Sequence, residues 1–384
     1  MSNLKENENF KLLLKILLVF AVSRLIMFIM VPVYNGIMGT DRTFTFLMNE
    51  WDAKRYAFMI DNGYTFPLDT DPQANWAFFP LYVLVCMFFK TVTFGVIDTY
   101  VIGMLVSNVC IIIAAFFAIK WLIKNKNISN EGIILMAVLM FMAPYTFYCS
   151  SAYTEAMFIM FIVLFFYFLS DKRYILAGLM AACSSATRIV GCILVFPMIV
   201  QLYIDIVQGK LSFNGIKEFV KHMLNTPKKI FAVLICPFGA FIYMTFLRFF
   251  CGDVWAYKNV QIAWREDEYF PIIGVMWKAC TGQIEPRYTY MGWFCVAILI
   301  LYGYMFYRKY YAMSIFGIIA LLVPLTSHVM STCRFTVGTY VVFVGVHDIL
   351  MRCNKVVRWI ITAILVGIEI FLLFQWYNSD CWLM

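Results

Sequence analysis

Residues 11 to 31, KLLLKILLVFAVSRLIMFIMV, form an apolar run in which only Lys11, Lys15 and Arg24 carry charge. As an α-helix, a run of that length covers roughly 30 Å, the thickness of a bilayer's hydrocarbon core. Similar runs recur along nearly the whole chain, and no soluble core could take them all in. The solvent for most of this chain is therefore lipid, and an integral membrane protein is expected. Composition agrees, since 63% of the 384 residues are hydrophobic and 14% are charged, against about 25% charged in soluble chains. No Gly/Ser-rich or Pro-rich linker, low-complexity tract or internal repeat divides the sequence, so a single all-α polytopic domain over residues 1–384 is the economical reading.

Charge then orients the spans. The formal net charge of +8 does not suggest nucleic acid, because the bases fall between apolar runs as cytoplasmic anchors do. Lys5, Lys11 and Lys15 precede the first span, which puts the N-terminus in the cytoplasm, and the absence of a small-residue cleavage site favours a retained anchor. Further spans are expected at about 99–122, 131–149, 153–170, 229–250, 289–307, 311–328, 334–350 and 356–377. Residues 174–206 are too long for one ordinary crossing, and ATRIVG interrupts them, so two short helices meeting at Arg188 are expected. The basic loops KWLIKNKN, SDKRY, KHMLNTPKK, YRKYY and MRCNKVVR all fall on the cytoplasmic side provided that residues 77–94 do not cross. That segment is accordingly read as a juxtamembrane or re-entrant helix. The result is about 11 transmembrane helices, with a first extracytoplasmic loop at 32–98, core spans at 99–206, C-terminal spans over 207–384, and an outer loop at 251–288.

The outer side collects the residues that could do chemistry. In 51–64, Ala53, Tyr56, Ala57, Ile60 and Tyr64 follow helical spacing, as in a helix lying on an apolar surface. Asp52 falls at the edge of that stripe, beside Tyr56 and Ile60, while Asp61 is turned to the opposite face. A partly desolvated carboxylate over a membrane cavity suits a general base for a hydroxyl nucleophile; the alternative is an interfacial helix whose acids are simply solvated. Glu155 opens an apolar span, where an acid can equally complement the helix dipole. Arg188, a cation inside an apolar run, would suit a phosphate or pair with an acid such as Glu155. Arg334, near His328 at an outer helix end, is a second phosphate candidate. Arg24, two turns from its span's outer end, is expected to snorkel to the interface. DTD at 69–71 has a metal-binding look, although such acidic triplets are commonplace. The three histidines, His222, His328 and His347, offer no metal cluster. Of the 12 cysteines, only Cys251, Cys280 and Cys381 lie where an outside disulfide is conceivable.

WDAKRYAFMIDNGY followed by NWAFFPLY, then SSAYTEAMF and SATRIVG, resembles the PIG-V family of membrane mannosyltransferases, which in eukaryotes add the second mannose to glycosylphosphatidylinositol. The match runs in order over about residues 20–200; beyond 205 it is one of general hydropathy. This resemblance implies a GT-C-type glycosyltransferase fold whose first outer loop carries an essential acid, and a polyprenyl-phosphate sugar as donor. Residue by residue it makes Asp52 the catalytic acid of the WD motif, Glu155 the TE acid, and Arg188 the arginine of the broken helix. The acceptor is expected to be a hydroxyl of an extracytoplasmic glycan or glycolipid, and single displacement would invert the transferred sugar, as in inverting glycosidases; Arg188 on the departing phosphate would make a metal optional, and no cofactor is expected. Length and a Lys- and Met-rich makeup point to a bacterial relative in the plasma membrane. Trp51, Tyr56, Trp76 and Phe79 are candidates for the aromatic surface that sugars and prenyl chains favour, although aromatics are also the default at membrane interfaces. Two other classes share the hydropathy: a transporter or flippase of lipid-linked sugars, which would show broken helices in matching halves, and a non-catalytic scaffold subunit.

Overall fold

The computed structural model describes residues 2–66, 74–208, 212–263, 272–326, 328–380 and 383, with side chains from residue 7 onward. Helices account for the regular structure, and no strand occurs among the described residues. The chain divides into two compact units. Met1–Gly63, Val83–Met160 and Cys333–Met384 form the first, and Tyr64–Tyr82 with Phe161–Thr332 form the second.

In the first unit, the helix Asn130–Met142 packs against Ser2–Met38, Thr99–Lys126, Val341–Arg352 and Lys355–Tyr377. Small side chains on Thr99–Lys126, namely Ala114, Ala115 and Ala118, are buried; they let neighbouring backbones approach, which is how helices associate where lipid supplies no hydrophobic drive. Ser129 and Asn354 cap their helices by accepting from the backbone N–H of Gly132 and Val357, while Leu18, Ile37 and Phe371 stay exposed on the outer faces of the first and last spans. Arg24 does not snorkel. Its Nε donates to Asn108 Oδ1 at 2.7 Å and its guanidinium lies 4.3 Å from the Phe20 ring centre. A polar side chain on the neighbouring helix outcompetes the distant interface, since it satisfies the donor without stretching the arginine along the span.

In the second unit, Tyr174–Thr187 packs against Pro227–Ile235 and Phe238–Cys251, and Tyr311–Leu322 packs against Val195–Val207 and Thr289–Tyr307. The long apolar run does break at Arg188: Tyr174–Thr187 ends there, a 3₁₀ segment Ile189–Leu194 follows, and Val195–Val207 resumes. Gly191 makes the break possible, because a Cβ at that position would stand 2.3 Å from the Ser185 backbone nitrogen. Residues 229–250 are not one straight span. Pro227–Ile235 and Phe238–Cys251 meet at 52°, with Pro237 at the junction, where proline removes a backbone donor and bends the helix. Ser185 serves this junction, donating to Cys236 O at 3.1 Å and accepting from Ala240 N at 3.3 Å.

Two further expectations change in detail. The spans 131–149 and 153–170 appear as Asn130–Met142 and Glu155–Ser170, separated by a stretch with one short 3₁₀ turn, Thr146–Ser150. The span 334–350 is interrupted between Thr332–Val337 and Val341–Arg352, where Tyr340 takes a φ of 57°. By length and composition, five helices among the described residues can cross a bilayer, or six if the bent pair counts as one span; Asn130–Met142, Glu155–Ser170, Tyr174–Thr187 and Tyr311–Thr326 are apolar but shorter. The molecule is thus a multispan all-helical membrane protein. DTD at 69–71, residues 264–271 of the outer loop and Cys381 lie outside the described residues. Cys251 and Cys280 carry free thiols, and burial pushes the Cys280 thiol up.

Candidate functional site

The site grows from the charged stretch that begins at Asn49. Trp51 sits at φ 54° and ψ −116°, a region that costs a bulky residue strain and persists only where surrounding contacts impose it. Those contacts are visible: the Tyr153 hydroxyl donates to Glu50 O at 2.8 Å and accepts from the Asp52 backbone N–H at 3.1 Å. Tyr153 therefore caps the helix Asp52–Asn62 in place of a conventional N-cap side chain. Ala53, Tyr56, Ala57 and Ile60 of that helix are buried. At its far end Asp61 faces the other way, pairing with Lys90 and accepting from Thr99 Oγ1 at 2.6 Å. Rather than being merely solvated, Asp61 ties the helix down.

Asp52 meets two groups far away in sequence. Arg334 Nη1 lies 3.0 Å from Asp52 Oδ2, and Arg334 Nε lies 3.2 Å from Glu155 Oε1. Side-chain exposure ranks the three: 26% for Asp52, 8% for Arg334 and 2% for Glu155. One guanidinium thus serves two carboxylates, and Asp52 is the member open to an incoming molecule. Beneath the guanidinium, the Tyr148 and Tyr153 rings each lie 5.4 Å from it, a cation–π arrangement that helps hold a desolvated arginine. Trp376 supports both rings, at 4.8 and 5.9 Å. Tyr56 reaches the Thr154 hydroxyl at 3.3 Å, and the Trp51 indole N–H has no hydrogen-bond partner among the described residues.

The platform under this group is irregular backbone. Residues 145–155 are all buried, and non-helical backbone at membrane depth is tolerated only where protein satisfies its polar groups. Here the partners are specific. Asn49 Oδ1 accepts from Ala152 N at 2.8 Å, Ser107 Oγ donates to Tyr153 O at 3.1 Å, and Glu369 Oε1 accepts from Phe147 N at 2.7 Å and from Thr146 Oγ1 at 2.9 Å. Glu369, Asn49 and Trp376 escaped the sequence reading. Glu369 had a signal, since an acid in the middle of the run ITAILVGIEIFLLF is costly in lipid and marks a partner.

Asp52, Glu155, Arg334, Trp51 and Tyr56 come together in the first unit, where Arg334 stands beside Glu155. The other candidates belong to the second unit. Arg188 is half-buried at the helix break, its backbone N–H bonded to Ser184 O at 2.9 Å. Phe79 is buried against Tyr243 and Tyr257, at 4.9 and 5.5 Å, which makes it core rather than an open aromatic surface; burial also pushes the Tyr257 phenol up. Trp76 donates from its indole to Thr65 O at 2.9 Å, and its backbone carbonyl accepts from the Tyr243 hydroxyl at 2.7 Å. No group of three or more His, Cys, Asp or Glu side chains gathers in metal-binding fashion among the described residues.

No protein-family model matches the chain, and no curated protein matches it. Its class therefore rests on fold and site: a multispan helical membrane protein with a partly buried carboxylate–arginine–carboxylate group.

Proposed function

We propose that this protein is a membrane glycosyltransferase of the GT-C type that moves a hexose, most plainly mannose, from a polyprenyl-phosphate sugar to a hydroxyl of a glycan or glycolipid outside the cytoplasm. The observation that carries this reading is Asp52. It is presented at the start of a strained helix, held by Arg334 at 3.0 Å, and is more open than the Glu155 carboxylate behind it. A general base for a hydroxyl needs this combination of fixed position, partial desolvation and one open side. The resemblance to the PIG-V family supports the same residue, while charge bias supports the eleven-span topology, and chain length with a Lys- and Met-rich makeup supports a bacterial plasma membrane.

In the proposed reaction the acceptor O–H gives its proton to Asp52 as its oxygen bonds to the anomeric carbon. The bond from that carbon to the lipid phosphate breaks on the opposite face, and its electron pair leaves with the phosphate. Configuration inverts through an oxocarbenium-like transition state, as in inverting glycosidases. The positive charge that the departing phosphate requires is assigned to Arg188, with Arg334, already paired with Asp52 and Glu155, as the second candidate. The part assigned to Arg188 in phosphate binding rests on the resemblance and on its half-buried place at a helix break. Purified protein in detergent should transfer sugar from polyprenyl-phosphate mannose, ignore nucleotide sugars, and lose little activity to a chelator. Efficient direct use of a nucleotide sugar, or strict dependence on a metal, would overturn the assignment.

A transporter or flippase of lipid-linked sugars is the second reading. It gains from the interruptions at Arg188, at Pro237 and before Tyr340, since discontinuous helices line many transport sites. Scrambling of a labelled polyprenyl-phosphate sugar across proteoliposomes, without transfer, would select it. A scaffold subunit would do neither and would tolerate loss of Asp52.

A further inference from the structure

The helix Phe213–Leu224, FNGIKEFVKHML, carries three faces with three different surroundings. Gly215 is buried and Phe219 half-buried, the latter 5.7 Å from the Tyr203 ring; this face is held by the protein. Phe213, Ile216, Val220 and Leu224 recur at i, i+3, i+7 and i+11, within an arc of roughly 80°, and all four are exposed, Phe213 at 71% and Leu224 at 70%. Lys217 and Lys221 occupy the next arc of roughly 60°. Glu218, Asn214 and His222 lie further round, and all five of these polar residues are exposed. Ser212 caps the start of the helix, accepting from Gly215 N at 3.1 Å.

We propose that this helix lies in the plane of the bilayer surface, with Phe213, Ile216, Val220 and Leu224 among the acyl chains and Lys217 and Lys221 bound to the phosphates of anionic phospholipids. Two observations select this occupant. The first is charge: the lysines flank the apolar stripe directly while Glu218 is held away from it, an order that matches acyl chain, headgroup phosphate and water in succession. The Lys217 ammonium lies 4.7 Å from the Phe213 ring centre, its stem covering the aromatic as a snorkelling lysine does. The second is continuity. The next helix, Pro227–Ile235, exposes Phe231 and Leu234, while Lys229 turns to His222 at 2.9 Å on the polar side, so exposed apolar side chains do not stop at Leu224. A soluble protein partner would have to cover a stripe that runs on into a membrane-facing segment.

Hydrogen exchange of peptides covering residues 213–224, measured on the full chain in phosphatidylcholine nanodiscs with and without phosphatidylglycerol, tests this. An anionic surface favours each nearby lysine, and for two of them exchange should slow by roughly thirtyfold when phosphatidylglycerol is present. The Lys217→Gln/Lys221→Gln variant should lose that lipid-specific slowing and keep its fold. The Phe213→Ser/Leu224→Ser variant should exchange faster in both nanodiscs. Equal exchange with and without phosphatidylglycerol, slowing that survives in the glutamine variant, or indifference to the serine changes would each overturn the proposal. Slowing seen only in native membrane vesicles and in neither nanodisc would assign the surface to a protein instead.

Discussion

Asp52 and Asp61 sit nine residues apart on one helix and do different work. Asp52 reaches Arg334, whereas Asp61 anchors the helix to Lys90 and Thr99. Under the proposed reaction, Asp52→Asn keeps the size and much of the hydrogen bonding but removes the base, which positioned acid–base groups make worth about a hundred- to ten-thousandfold in rate. Transfer by Asp52→Asn should therefore fall below detection at normal expression with donor binding kept, while Asp61→Asn should cost less than about tenfold. Equal losses in a transfer assay would mean that both acids act through the helix's placement. Arg334 gives a prediction that does not depend on the reaction. Removing it takes the arginine at 3.2 Å away from the buried Glu155 carboxylate, a change that costs about 3–5 kcal/mol in comparable pairs. Arg334→Leu should unfold well below the wild type in a detergent melt, and adding Glu155→Gln should restore much of the loss. A single variant that melts like the wild type would show that the ion pair contributes nothing net.

At the scale of elements, the buried stretch between Asn130–Met142 and Glu155–Ser170 decides where the site's aromatic floor lies, and Glu369 on the last helix holds its start. Glu369→Leu leaves the Phe147 N–H and the Thr146 hydroxyl without an acceptor, at about 1–3 kcal/mol each. Glu369→Gln keeps a carbonyl oxygen for both and should melt close to the wild type, whereas Glu369→Leu should not; similar melts for the two would deny Glu369 this role. This stretch also marks the limit of what the sequence discloses. Helical spacing put Asp52 beside Tyr56 and Ile60, and ATRIVG announced the break at Arg188, because both depend on neighbours a few residues away. The pairing of Arg334 with Asp52 and Glu155 spans hundreds of residues, so Arg334 could be suspected by type and not placed. The shortened spans around 143–154 were hidden because hydropathy reports apolar content, and irregular backbone that protein covers is as apolar as helix. Arg24 was misread for a related reason, since Asn108 is a partner only once two helices are packed.

For the whole molecule, charge distribution and helix length give different accounts of how often the chain crosses. Among the described residues, length and composition admit five or six spans, while the basic loops require that the segment holding Pro80–Val92 stay on one side. At 13 residues that helix covers about 20 Å, which fits a juxtamembrane position. Cysteine labels at Asn62 and at the exposed Val96 should then react from outside intact cells, and one at Lys126 only after permeabilisation, in a background whose half-buried native cysteines are serine. Labelling of position 96 from the cytoplasm alone would make the helix a true crossing and reverse every later loop. The connection between Glu369 and the stretch at 146–147 has a consequence for how the protein is made. A ribosome delivers Thr146 and Phe147 long before Glu369, and Asp52 and Glu155 long before Arg334. Until the segments that carry Arg334 and Glu369 are synthesised, these early groups lack those two partners, so the nascent chain must wait in the membrane half-assembled. The chemistry-bearing corner of the molecule is the last to mature, and a chain terminated early would hold its first spans without ever gaining the site.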